Sequence, residues 1–174
     1  MMSIISVRQI QEEDAMFLHN FMNDKSILKA LNEAPTTYIF WENAIIDWNN
    51  DDDEEDYIIL LNNHPAGWFG INNLSSENKQ VFLKMITILP GKQGLGIGVS
   101  VVGNLLTDLK SRGFKSIALY TNCNNIAAQK CYRKCGFTIK ETVTQKMSNG
   151  DYVERYKMAV SFKKGHLLIT FQKT

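Results

Sequence analysis

The chain has 174 residues, of which 44% are hydrophobic and 21% are charged, as in an ordinary globular domain rather than a disordered or fibrous protein. The formal net charge of +1 provides no general attraction to nucleic acid or to an anionic membrane, so we expect neither partner. Three cysteines, an odd number, argue against a disulfide framework, and no segment approaches the roughly 20 apolar residues of a membrane span. We therefore expect a cytoplasmic protein.

The first half of the chain alternates predicted strands and helices. Ile5 and Val7 alternate with polar residues as in a strand, and a helix carrying Phe17, Leu18 and Phe21 follows an acidic start. Six consecutive acidic residues then suggest a solvated loop that does not pack. We predict a second helix at 37–48, a solvated loop at 51–56, and strands at 57–61, 66–72 and 81–89, with turns between the strands.

The second half continues the alternation. A helix that follows a glycine-rich turn ends at Gly113, and a shorter helix begins at Asn125 and ends at Gly136. Strands are predicted at 116–121, 137–146 and 152–160. The fold class is therefore α/β, with a mixed sheet flanked by helices in a single domain of residues 1–174. Residues 161–174 form a C-terminal extension in which the alternating Leu167, Ile169 and Phe171 predict an edge strand or a homodimer contact.

The glycine-rich turn at residues 93–98 opens the helix after the 81–89 strand. Backbone N–H groups without partners and the helix dipole meet at such a turn, which makes it an anion site, and absent side chains let phosphate oxygens approach the backbone. A dinucleotide fingerprint has a different glycine spacing and an acidic residue about 20 positions on, which is lacking here. A plain tight turn before a helix remains the alternative.

The short helix after Asn125 places Ala128, Cys131, Tyr132 and Cys135 on one face. A phenol with an ordinary pKa of about 10 can give a proton to a departing thiolate at a cost of ~2 kcal/mol, so Tyr132 is a competent general acid. The alternative is a core aromatic residue. The two cysteines lack the further ligands of a metal site, so we expect no metal there and interpret them as packing residues.

Taken together and in this order, the two segments resemble the cofactor-binding motifs of the GNAT superfamily of acyl-CoA-dependent N-acetyltransferases. The first motif of that family reads Q/R-x-x-G-x-G/A and the second resembles N-x-x-A-x-x-x-Y-x-x-x-G-F. The matching residues are Gln93, Gly96 and Gly98 in the first, and Asn125, Ala128, Tyr132, Gly136 and Phe137 in the second.

The resemblance implies a central mixed sheet whose strands splay near Ile88 and Leu89 to admit the thioester of acetyl-CoA, the co-substrate. It also implies that Tyr132 protonates the CoA sulfur and that an amine attacks the acyl group directly, without a covalent enzyme intermediate. The implied cofactor-binding residues are Ile86, Thr87, Ile88, Gln93, Gly94, Leu95, Gly96, Ile97, Gly98, Val99 and Asn125.

One departure concerns the general base. Many family members carry a glutamate on the strand before the glycine turn or just ahead of the second motif, where this chain has Lys84 and Tyr120. The remaining candidates for the base are Glu33, Tyr120 and an ordered water. The acceptor is expected to be a primary amine of a small molecule or a peptide. The alternatives are an enzyme that modifies aminoglycosides or polyamines, and a non-catalytic acyl-CoA-binding or interaction module.

The acceptor itself is not encoded in a motif. The acidic run 51–56 would attract a cationic acceptor, but a solvated loop also explains it. The family resemblance places the acceptor near the first two helices, so the aromatic residues there either line its pocket or form core. These residues are Tyr38, Phe40, Trp41, Trp48 and Trp68.

Overall fold

The computed structural model describes residues 3–163, which form seven strands and five α-helices. None of the described helices is long and apolar enough to cross a bilayer. The strands are β1 (Ile5–Gln9), β2 (Glu54–Leu61), β3 (His64–Asn72), β4 (Gln80–Ile88), β5 (Ser116–Asn122), β6 (Thr138–Lys146) and β7 (Tyr152–Ser161). The helices are α1 (Ala15–Met22), α2 (Lys25–Leu31), α3 (Tyr38–Asn49), α4 (Ile97–Ser111) and α5 (Ile126–Lys134), with 3-10 turns at Glu12–Asp14 and Pro90–Lys92.

All seven strands belong to one sheet, in the order β1-β2-β3-β4-β5-β7-β6. Every neighbouring pair is antiparallel except β4 and β5, which are parallel. These two pair only from Gln80 with Ser116 to Phe82 with Ala118, and beyond that point the strands separate. The predicted mixed sheet and its splay are thus confirmed, although the splay starts at Phe82 rather than near Ile88 and Leu89.

A β-bulge lies on β4 at the start of the splay. Gly70 of β3 pairs with Met85 and Ile71 pairs with Leu83, so Lys84 is the extra residue on its strand. A bulge bends its strand and increases the local twist. It therefore helps to turn the end of β4 away from β5.

Helices cover both faces of the sheet. On one face α4 and α5 cover a core that includes Val102, Leu109 and Met158, each fully buried. On the other face α1, α2 and α3 cover a second core around Leu18 and Ile45. The splay between β4 and β5 lies between these two layers and is reached by helices from both.

The acidic run does not behave as predicted. Only its first residues stay in a loop, because β2 already begins at Glu54. Asp56 is 2% exposed, and its carboxylate accepts a hydrogen bond from Trp68 Nε1 at 2.9 Å and contacts Lys84 Nζ at 2.9 Å. The interpretation of 51–56 as wholly solvated is therefore wrong: a cation and an indole N–H on neighbouring strands compensate the buried charge.

The tryptophans of α3 and β3 form core rather than a pocket, whereas Phe40 is 49% exposed. Trp48 stacks on Trp68 with ring centroids 5.4 Å apart, and Trp41 meets Trp68 edge-on at 5.9 Å. The Lys84 ammonium lies 3.9 Å from the centroid of Trp48. The packing interpretation of these tryptophans is correct, and through Lys84 they contact the bulged part of β4.

Helix α2 was not predicted. It has seven residues and depends on its ends: Asp24 accepts from the backbone N–H of Ser26 at 2.8 Å, and Asn32 ends the helix in the left-handed region at φ 56. A hydrogen bond of 2.9 Å from Asn122 Nδ2 to Asn32 Oδ1 joins its end to β5. The helix thereby extends over the splay. The predicted edge strand or dimer contact at 167–171 lies outside the described residues.

Candidate active site

The glycine turn forms a bare backbone surface at the mouth of the splay. Gly94 and Gly96 both have φ +77, a conformation that favours glycine, and a Cβ built on either would meet no atom within 4 Å. Gln93 fixes the turn by donating from Nε2 to the Ile88 carbonyl oxygen at 2.9 Å. Since α4 begins at Ile97 without a side-chain cap, its first N–H groups are open to an anion.

A cavity of about 460 Å³ leads from this turn into the splay. All but one of the predicted cofactor-binding residues line it, together with Tyr132. The exception is Leu95, which is 64% exposed. The predicted residues on the wall are Ile86, Thr87, Ile88, Gln93, Gly94, Gly96, Ile97, Gly98, Val99 and Asn125.

Helix α5 carries Tyr132 to the inner end of this cavity. Asn125 caps the helix, its Oδ1 accepting from the Ala128 N–H at 3.1 Å, and Tyr132 is 8% exposed. Among residues 3–163 no group hydrogen-bonds the Tyr132 hydroxyl. Burial raises the pKa of the phenol well above its ordinary value, whereas the positive charge of Arg155 acts in the opposite direction. Tyr132 is therefore a protonated donor at neutral pH.

Close packing of α4 on α5 sets the position of that phenol. A Cβ on Gly98 would lie 3.3 Å from Cys131 Sγ, and Cys135 Sγ lies 3.7 Å from the Val99 carbonyl oxygen. Burial raises the pKa of Cys131 to about 11, so its thiol stays neutral. The two cysteines serve as small packing groups between the helices.

Beside this long cavity lies a smaller one of about 170 Å³, the small cavity, which is lined by residues of β4 and β5 at the splay. It shares Ile86, Asn125, Ala128 and Tyr132 with the first cavity, so the two meet at the phenol. Met147, in the turn between β6 and β7, also lines it, and the neighbouring Ser148 donates to the Glu33 carboxylate while its Oγ accepts from the Ala34 N–H at 2.8 Å. Its remaining polar lining residues are Glu33, Lys84, Tyr120, Thr121, Asn122, Gln145 and Arg155.

Comparison with known proteins identifies the family. The model of the acetyltransferase (GNAT) family matches residues 15–137, which include the glycine turn and α5. The chain belongs to the GNAT acetyltransferase family. This confirms the family inferred from the two motifs, and with it the enzyme class and acetyl-CoA as the co-substrate of that class.

Solved structures share the fold of this acetyltransferase at low sequence identity. A spermidine N-acetyltransferase from Vibrio cholerae, in complex with CoA and spermine, is 20% identical with a TM-score of 0.81, covering 90% of this chain and 95% of that one. An acetyltransferase from Salmonella typhimurium that modifies the N-terminal serine of ribosomal protein L7/L12 is 21% identical with a TM-score of 0.81, covering 91% and 95%.

A curated relative matches a shorter segment. Mycothiol acetyltransferase from Cellulomonas flavigena is 36% identical over 53 residues, which are 30% of this chain and only 15% of that protein.

The position where many GNAT members carry glutamate holds an ion pair instead. Lys84 contacts Glu54 and lies 2.9 Å from Asp56 Oδ2, and its side chain also lines the wall of the small cavity. Burial raises the pKa of Asp56 to about 7, although the hydrogen bond from Trp68 opposes the shift, and burial lowers the pKa of Lys84 to about 7. Lys84 is therefore part of a largely buried pair of groups at the bulge.

Of the predicted base candidates, Glu33 and Tyr120 both line the small cavity. Arg155, which the sequence analysis did not single out, lies there too. No short-range pattern identifies it, since it is one of several charged residues on β7 and its neighbours in the cavity come from distant segments. The antiparallel register that pairs Asn122 with Arg155 is the signal that would have placed it beside β5.

Proposed function

We propose that this protein transfers an acetyl group from acetyl-CoA to a primary amine of a small molecule or peptide. The observation that carries the proposal is the splay between β4 and β5, where the long cavity and the small cavity adjoin and Tyr132 lies on the wall of both. Such an arrangement lets an acyl donor in one cavity and an acceptor in the other meet at one point.

The long cavity suits acetyl-CoA. The pyrophosphate would bind the N–H groups of the glycine turn and of the first turn of α4, where the helix dipole adds positive potential. The pantetheine arm would lie along Ile86, Thr87 and Ile88, whose side of the strand is not covered by β5. Asn125 would contact the cofactor through its Nδ2, since its Oδ1 already caps α5.

The reaction needs one nucleophile and two proton transfers. The neutral amine attacks the thioester carbonyl carbon, a C–N bond forms, and collapse of the adduct breaks the C–S bond. The sulfur leaves as the CoA thiolate and takes the proton of the Tyr132 phenol. The attacking nitrogen loses its proton to Glu33, to Tyr120 or to an ordered water; Glu33 is the carboxylate among these candidates.

The acceptor class follows the amines named for the structural neighbours, which include spermidine, an aminoglycoside and a ribosomal protein terminus. All of these are amines, although they differ in size and charge. We further propose that residues 1–174 act as one cytoplasmic domain. The single sheet and the three free thiols of Cys123, Cys131 and Cys135 support that proposal.

The test is release of free thiol from acetyl-CoA in the presence of a panel of amines, with the acetylated product identified by mass spectrometry. Turnover on one amine class, with the acetyl group found on nitrogen, is the expected result. Tight binding of acetyl-CoA without turnover on any amine would overturn the proposal and favour a non-catalytic acyl-CoA-binding module.

A further inference from the structure

Arg155 brings a positive charge into the small cavity and forms no direct ion pair with a carboxylate of the described residues. Among residues 3–163 the ion pairs within 4.0 Å involve other cations, and none includes Arg155. The guanidinium is half-buried on the cavity wall. A cation removed from water is costly unless an anion or several acceptors compensate it, so this charge requires a partner.

The guanidinium is held in a fixed orientation. Its Nη1 donates to Gln145 Oε1 at 2.8 Å and its Nη2 donates to the Tyr120 carbonyl oxygen at 3.1 Å. The Tyr120 ring, itself stacked on Phe82, lies 5.8 Å from the guanidinium carbon. Two of the five N–H donors are used by these neutral acceptors and Nε is buried without a partner, so the guanidinium has no hydrogen bond to a carboxylate of the described residues.

The other charges around the cavity are arranged differently. Lys84 already contacts both Glu54 and Asp56 and therefore attracts no further anion. Glu33 also lines the wall, where the Ser148 hydroxyl donates to it. Burial lowers the pKa of Arg155, and the negative charge of Glu33 opposes that shift without a direct ion pair between them. Within the described residues the cavity thus presents one cation outside any ion pair and one carboxylate, the complement of a molecule with both an anion and an amine.

We propose that Arg155 binds a carboxylate of the acceptor, so that the acceptor is an amine of the amino-acid type rather than a polyamine or an aminoglycoside. The inference rests on the proposed acetyl transfer at this site and specifies its substrate class. A planar guanidinium matches a carboxylate geometrically, and a cavity of about 170 Å³ suits a small molecule. A polycation would bring several positive charges to a wall that already carries Arg155. Among the described lining residues, Glu33 is the one carboxylate that could bind such a polycation.

The test compares pairs of acceptors that differ only in the carboxylate. Free amino acids of increasing side-chain size are assayed beside their C-terminal amides, with spermidine as the polycation, for the wild type, Arg155→Gln and Arg155→Lys. Lys157→Gln is the matched control because it removes the same charge two residues along β7, where Lys157 pairs with Glu141 outside the cavity. Acetyl-CoA binding by calorimetry reports whether each variant is folded.

If Arg155 donates a charge-assisted hydrogen bond to the acceptor carboxylate, the wild type should have a kcat/KM at least about tenfold higher for an amino acid than for its amide. That ratio should fall to near one in Arg155→Gln, recover in part in Arg155→Lys, and persist in Lys157→Gln. A preference for amides or spermidine in the wild type would overturn the proposal, and so would an equal loss on acid and amide in Arg155→Gln.

The two proposals fail in different ways. If no amine of either kind is acetylated, the transferase proposal fails, and calorimetric titration of the acetyl-CoA-loaded protein with the same amino acids still decides the carboxylate site. Saturable binding of an amino acid that is lost in Arg155→Gln would support the site. Binding of neither acid nor amide would overturn it.

Discussion

The two cavities that meet at Tyr132 are built in different ways. The long cavity is made largely from two segments, 86–99 and 125–134, and three of its lining residues are glycines. The small cavity gathers side chains from the end of α2, from β4 and β5, and from the hairpin of β6 and β7. Local sequence therefore determines how a cofactor would be held, whereas the tertiary arrangement determines which acceptor would enter.

The difference has a chemical consequence. A backbone site for pyrophosphate depends on conformation, and its requirements are met by glycines with positive φ at a helix start. A side-chain site depends on which charges are left unpaired after folding, as for Arg155 and Glu33. The first kind of site tolerates changes in most side chains, and the second is altered by single substitutions.

The largest expected effect is at the point that both cavities share. Tyr132→Phe removes the proton donor but keeps the ring, so we expect kcat to fall by about a hundredfold or more while KM for acetyl-CoA changes little. Steady-state thiol release measures both constants. Tyr152→Phe, at a phenol that is 72% exposed on β7, is the control. An unchanged kcat in Tyr132→Phe would show that the thiolate leaves without this acid.

The next effect concerns the buried contact between Asp56 and Lys84, a residue that also lines the small cavity. Asp56→Asn keeps a group that can accept from Trp68 Nε1 but removes the charge opposite Lys84, so we expect the free energy of unfolding to drop by about 2 kcal/mol. Urea unfolding followed by tryptophan fluorescence measures it. Asp52→Asn, in the exposed loop before β2, should have almost no effect. Equal stabilities of the two variants would contradict the role assigned to the buried pair.

The third prediction tests the backbone site. Gly96→Ala places a Cβ on a residue at φ +77, which disfavours this conformation of the turn by roughly 1–2 kcal/mol. Because the turn must hold this conformation to bind the pyrophosphate, we expect about tenfold weaker acetyl-CoA binding by calorimetry. Gly103→Ala is the matched control, because Gly103 lies inside α4 where a Cβ meets no atom within 4 Å. That variant should gain up to about 1 kcal/mol in stability with acetyl-CoA affinity retained. Equal binding by both variants would contradict the conformational argument.

The same contrast explains which features the sequence predicts. The glycine turn and α5 are readable because their determinants lie within a few residues of each other, and the alternation of strands and helices follows from local periodicity. Helix α2 escaped prediction because seven residues are too few for a periodic signal and its ends depend on Asp24 and Asn32. The sequence shows these capping residues but does not by itself distinguish them from a loop.

Long-range pairing accounts for the remaining errors. Asp56 looked solvated because it follows five other acidic residues, while its compensating partners, Trp68 and Lys84, lie on β3 and β4. Arg155 looked like any charged strand residue until the register with β5 placed it beside the splay. In each case the deciding quantity is a tertiary contact between segments that are distant along the chain.

The smallest expected effect is in the pH dependence of kcat. Because burial raises the pKa of Tyr132, the phenol stays protonated through the range in which a free tyrosine begins to ionise, and Arg155 opposes that shift only in part. A general acid loses activity as pH rises through its pKa, so kcat should show no falling limb due to Tyr132 between neutral pH and about 10. A falling limb below pH 9 that disappears in Tyr132→Phe would mean that the charge of Arg155 dominates at the phenol. Repeating the profile with Arg155→Gln separates the two influences, because removing the guanidinium should move any falling limb to higher pH and never to lower pH.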